Sequence, residues 1–135
     1  MPLTLTDRVN AIEECYEFML AYAAQGLPAD TGVPSGGQLR EFLRRAVEAL
    51  SGLAEAYAAA IPQPAASYQP FLAVLARDAA DSLAAIELVR AQPVLSSQLI
   101  DNLNASIHVR ALLTDIFLID EVLKAHTAPA AANTD

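Results

Sequence analysis

Ser97, Asp101, Asn104, His108 and Asp115 fall in one narrow angular sector if residues 97–125 form a single helix turning about 100° per residue. His108 stands four residues after Asn104 and seven from each aspartate. An imidazole flanked by carboxylates is the raw material of a proton-transfer pair or a divalent-metal site. If the preceding helix packs back antiparallel about Pro93, Asp78 to Ser82 come level with His108. Asp78, Asp101, Asn104, His108 and Asp115 therefore make the candidate ligand set, with a divalent metal as the one cofactor it would take. A single imidazole among carboxylates holds a metal weakly unless two copies pool their ligands. A solvated helix face accounts for the same residues.

A second constellation is the turn Pro34-Ser35-Gly36-Gly37-Gln38. Ser35 and Gln38 have the spacing of a capping box, two glycines leave backbone amides bare, and Arg40 follows one turn in. Ser35, Gly36, Gly37 and Arg40 could hold a phosphate or carboxylate at the positive end of a helix dipole. The Gly-Lys-Ser/Thr ending of a phosphate-binding P-loop is missing. Cys15, the one cysteine, lies between Glu14 and Tyr16, surroundings that raise a thiol pKa, so it is expected to pack rather than react. Other chemistries lack their residues. Neither His108 nor His126 has a glutamate three positions before it, as a di-iron bundle needs, and one cysteine cannot tether a haem. The acidic pairs Glu13/Glu17 and Asp78/Asp81 sit on helix surfaces without the cleft that would split their pKa values. No catalytic residue is assigned.

The elements that must position these groups are helices. Alanine and leucine dominate, and proline and glycine cluster at Gly26–Gly37, Pro62–Pro70 and Pro93. These breaks cut the chain into helices at about 6–25, 36–60, 68–91 and 97–125. Connections of that length favour an all-α, antiparallel up-down-up-down four-helix bundle spanning residues 1–126, with 127–135 as a flexible tail. Val9, Ile12, Tyr16, Met19, Leu20 and Ala23 give the first helix its expected inner face. In an antiparallel pair, Glu17 would fall opposite Arg44, and Glu13 and Glu14 near Arg45 and Glu48.

The chain's 135 residues are 54% hydrophobic and 18% charged, too apolar for a disordered protein. Sixteen acids against eight bases leave a net charge of −8, which repels phosphate backbones and argues against nucleic-acid partners. No membrane span or signal peptide is legible, so the cytoplasm is the expected address.

Four helices around one core leave no central position, yet the segment Ala111 to Ile119 is apolar nearly all round. Cys15, Phe18 and Tyr22 add a second apolar flank on the first helix. This surplus points to a partner helix, from a second copy or another protein. The expected interface is Cys15, Phe18, Tyr22, Leu113, Phe117 and Leu118, with Arg110 and Glu121 on the apolar side setting register. The expected function is that of a non-catalytic accessory, adaptor or assembly protein that associates with itself or another protein. The alternative is a bundle binding a small ligand or metal between its third and fourth helices.

Overall fold

The computed structural model describes residues 3–62 and 66–132, with side chains through Ala125. Pro64 and the side chain of His126 lie outside the described residues, as do the last three positions of the expected tail. The first helix, α1 (Leu5–Ala24), starts at a capping box. The Thr4 hydroxyl accepts from the Asp7 amide at 3.0 Å, and the Thr4 amide donates to the Asp7 carboxylate at 3.1 Å.

Helix α2 (Pro34–Leu50) packs along α1 and runs antiparallel to it, because Glu14 meets Arg45 at 3.3 Å while Arg8 reaches the far end of α2. There the Arg8 guanidinium donates to the carbonyls of Glu48, Ala49 and Ser51, satisfying helix-end acceptors that have no intrahelical donor. The expected Glu14–Arg45 proximity is present. Arg44 instead pairs within its own helix, with Glu41 at 2.7 Å and Glu48 at 3.8 Å.

Two of the expected helices are broken. Residues 36–60 divide into α2 and α3 (Leu53–Ala60), because Gly52 takes a left-handed conformation, φ 96°, that ends the first and starts the second. After a 3-10 turn (Ala66–Tyr68), α4 (Gln69–Arg90) forms close to its expected bounds. Residues 97–125 divide into α5 (Ser97–Ala105) and α6 (His108–Ala132). The turn between them puts Ile107 at φ 65°. That is a position where glycine is usual and a β-branched residue is strained by about 1–2 kcal/mol. The fold is all-helical, with six α-helices and no strand among the described residues, rather than four uninterrupted helices.

The rotation of α1 also differs from expectation. Ile12, Cys15, Met19 and Tyr22 face the core, whereas Leu20 is exposed and Tyr16 only half-buried. Both α2 and α5 pack on α1, and between them they cover within the chain the flank that a four-helix arrangement leaves bare. The Tyr22 hydroxyl donates to the Leu95 carbonyl at 2.6 Å, and the Ser97 hydroxyl donates to the Tyr22 carbonyl at 2.6 Å. Ser97 and Leu27 exchange a further pair of hydrogen bonds at 2.8 Å. Phe18 stacks on Phe42 of α2, centroids 4.8 Å apart. Elsewhere α4 packs on α2, α3 and α6, with Leu39, Leu43, Leu75, Ile86, Leu112 and Ile116 at the centre. No helix among the described residues is long and apolar enough to cross a membrane.

Candidate functional site

The break at Ile107 separates the polar sector expected on one helix. Ser97, Asp101 and Asn104 sit on α5, His108 and Asp115 on α6. Ser97 is buried in its hydrogen bonds to α1, Asp101 is exposed, and His108 is half-buried as the first residue of α6. Of the candidate ligands only Asp78 and Asp115 come together, side chain to side chain across the α4–α6 seam. Burial first, and then Asp78 as hydrogen-bond partner and negative neighbour, push the Asp115 carboxyl up to about 7. Asp115 therefore keeps its proton up to about neutrality.

Besides Arg8 Nε, the buried polar atoms without partners among the described residues are the Ser82 hydroxyl, one carboxyl oxygen of Asp115, and both ends of the Asn104 amide. Ser82 is one turn from Asp78 on the inward side of α4 and fully buried. Among the described residues, no three His, Cys, Asp or Glu side chains gather as a metal site.

The turn expected to bind an anion is a structural clamp. Ser35 does not cap α2: its N-cap is Val33, which offers no side chain to the amides, and the Ser35 hydroxyl donates to the Gln25 side chain at 3.1 Å. The Arg40 guanidinium is engaged by the Asp30 carboxylate at 2.6 Å and donates to the carbonyls of Arg90, Gln92 and Pro93. Asp30, 7% exposed, also accepts from the Leu95 amide at 2.7 Å. Burial opposes its charge, but the Leu95 amide and the Arg40 guanidinium outweigh it and hold the carboxyl below the usual range. Gly36 is pressed against the Asp30 backbone, where a Cβ would overlap the carbonyl. Gly37 alone of the set faces open space.

The expected interface residues divide sharply. Cys15, Tyr22 and Leu113 are inside the monomer core and offer no surface; Phe18 is half-buried against Phe42. Burial pushes the Cys15 thiol up to about 12, against a smaller opposing effect of Arg45, which leaves it inert. Phe117 is 57% exposed, Leu118 54% and Val122 42%. Arg110 and Glu121 are exposed rather than buried in apolar surroundings, and neither joins an ion pair among the described residues. Arg110 and Phe117 border a shallow groove against α1, lined there by Glu13, Tyr16 and Glu17.

Sequence reasoning missed Arg8, Asp30 and the 2.7 Å bond from the buried Tyr57 hydroxyl to Asp120. A charged residue inside a proline- and glycine-rich break was the available signal for Asp30. Arg8 and Tyr57 carried none, since their partners lie 40 or more residues away. Comparison with protein-family models, curated proteins and solved structures gives no match.

Proposed function

We propose that this chain is a non-catalytic assembly or adaptor protein that pairs with a second copy through the outer face of α6. Its frame is best taken as an antiparallel bundle of the four long helices, with α3 and α5 as short appended pieces. The observation that carries the reading is a stripe, Arg110, Thr114, Phe117 and Glu121, spaced four, three and four residues apart on the exposed side of α6. That spacing keeps four side chains on one helical face, as in a coiled-coil seam. The stripe is also self-complementary. When two such helices cross antiparallel about a two-fold axis, each Arg110 meets the other copy's Glu121 and each Phe117 lies over the other copy's Thr114. Leu118 and Val122 flank it.

Covering the exposed parts of two Phe117 and two Leu118 side chains offers roughly 6 kcal/mol. That is similar to the cost of joining two molecules, so the dimer is weak and sensitive to dilution. The test is charge reversal. Arg110→Glu and Glu121→Arg should each be monomeric alone, because like charges then face each other twice. Their equimolar mixture should recover the dimer, because every facing pair is again opposite. Sedimentation velocity on the two variants and the mixture checks this; a mixture as monomeric as its parts would refute it.

A second reading is favoured by the unpartnered oxygens of Asp115 and Ser82 beside Asp78. It is a hard divalent cation held between α4 and α6, all of its ligands being oxygen. Untagged protein purified without chelator should then carry calcium or magnesium stoichiometrically and lose it in Asp115→Asn. Metal-free protein that calcium and magnesium do not stabilise against heat would remove this reading.

A further inference from the structure

The joint between α5 and α6 is the most strained place in the described backbone. Ile107 is the one residue other than glycine at positive φ among the described residues, it is β-branched, and 51% of its surface is exposed. The local sequence gives no reason for a turn: neither glycine nor proline occurs between Ser97 and Ala128. Its polar and apolar pattern is that of one unbroken helix. The hydrogen bonds at the joint have the form of a helix C-terminus, Ser106 N–H donating to the Asn102 carbonyl at 3.0 Å and Ile107 N–H to the Asn104 carbonyl at 3.3 Å. Ile107 stands where such an ending usually has glycine. One turn before, the Asn104 amide is buried with neither end hydrogen-bonded. The closed chain therefore carries two local penalties beside the same joint, and straightening relieves the first by returning Ile107 to the helical region.

The two sides of the joint are held by different neighbours. α5 is fastened to α1 through Ser97, Tyr22 and Leu27, while α6 packs chiefly on α4. Short hinges under strain are the setting in which neighbouring copies exchange an element. We propose that Ile107 is a domain-swapping hinge, at which α5 and α6 fuse into one helix and α6 docks on α4 of a second copy. The fused helix runs from Ser97 to Ala132, about 50 Å at 1.5 Å per residue. The second copy offers α6 the same α4 surface it leaves, so no new interface is needed. This route to a dimer does not depend on the outer face of α6.

The α4–α6 seam supplies the test. In the double variant Asp78→Cys/Asp115→Cys, a short bis-maleimide joins two positions that meet across it. Protein refolded at high concentration is separated by size exclusion and its dimer fraction cross-linked, then run on a denaturing gel. The swap predicts covalent dimers, because the thiol at position 78 of each chain then faces the thiol at position 115 of the other. It also predicts a dimer that persists for hours after dilution, since α6 must undock before the copies part. Ile107→Gly, which removes the strain, should lower the yield of that slow dimer at least tenfold, in the cysteine variant and in the wild-type chain alike. Cross-linking wholly within single chains, absence of a dimer after concentrated refolding, or a slow dimer unaffected by Ile107→Gly would each overturn the proposal. Phe117→Asp separates the two readings: it removes the outer-face dimer and leaves the swapped one.

Discussion

Asp30 and Asp115 are both partly or fully withdrawn from water, yet they answer to pH in opposite ways. Asp30 is met by a guanidinium and a backbone amide, so its charged form is favoured and its carboxyl lies below the usual range. Its stabilising effect is present above the ordinary carboxylate pKa of about 4 and is lost as pH falls through the depressed folded value. Arg40→Met leaves Asp30 buried and without its cationic partner, and should cost about 2 kcal/mol at pH 7. Chemical denaturation checks this; the loss should shrink as pH falls below about 4, where the unfolded chain also takes up its proton.

Asp115 faces another carboxyl, and in the folded chain it keeps its proton up to about pH 7. Between about pH 4 and 7 the folded state thus holds a proton that the unfolded state has released, so stability declines as pH rises. Asp115→Asn should raise the melting temperature at pH 8 and leave it nearly unchanged at pH 4. Equal shifts at both values would mean that the Asp115 carboxyl is not raised in the folded chain. The pair was legible as two members of a larger polar set. Its isolation from Asp101 was not, because that depends on the turn at Ile107.

At the scale of elements, local chemistry was read well wherever glycine or proline marked an end. The limits of α1 and α4 lie within a residue or so of expectation. The Ser51-Gly52 pair carried the signal that splits α2 from α3, and the strong helix formers on both sides hid it. Ile107 carried no signal, and neither did the rotation of α1, which follows from its packing between α2 and α5 rather than from any period in α1. The Ser35–Gln38 spacing matched a capping box, but Pro34 already occupies the first helical position and Ser35 turns to Gln25. The entry of α2 is set instead by close backbone approach. Gly36→Ala should destabilise by about 2 kcal/mol, because its Cβ meets backbone that cannot yield. Gly37→Ala, one position on in open space, should be neutral or stabilising by up to about 1 kcal/mol. Urea titration of the two variants side by side measures the contrast.

For the whole molecule, the surplus of apolar residues divides into a part covered within the chain and a part left outside. The Cys15–Tyr22 flank is covered within the chain, Phe18 against Phe42 of α2 and the Tyr22 hydroxyl on the Leu95 carbonyl, so half of the sequence evidence for a partner dissolves into the monomer. The outer face of α6 remains, with Phe117, Leu118 and Val122 in water and Arg110 and Glu121 outside every ion pair among the described residues. A net charge of −8 per copy opposes pairing at low ionic strength, so screening by salt favours association of the apolar stripe. The most direct measurement is multi-angle light scattering after size exclusion, on untagged wild-type chain and Phe117→Asp, across a hundredfold dilution at physiological salt. Self-association through α6 predicts a wild-type mass that falls from dimer toward monomer on dilution, and a Phe117→Asp chain that is monomeric throughout with unchanged helicity. A wild-type chain of monomer mass at every concentration, or a dimer indifferent to Phe117→Asp, would contradict it.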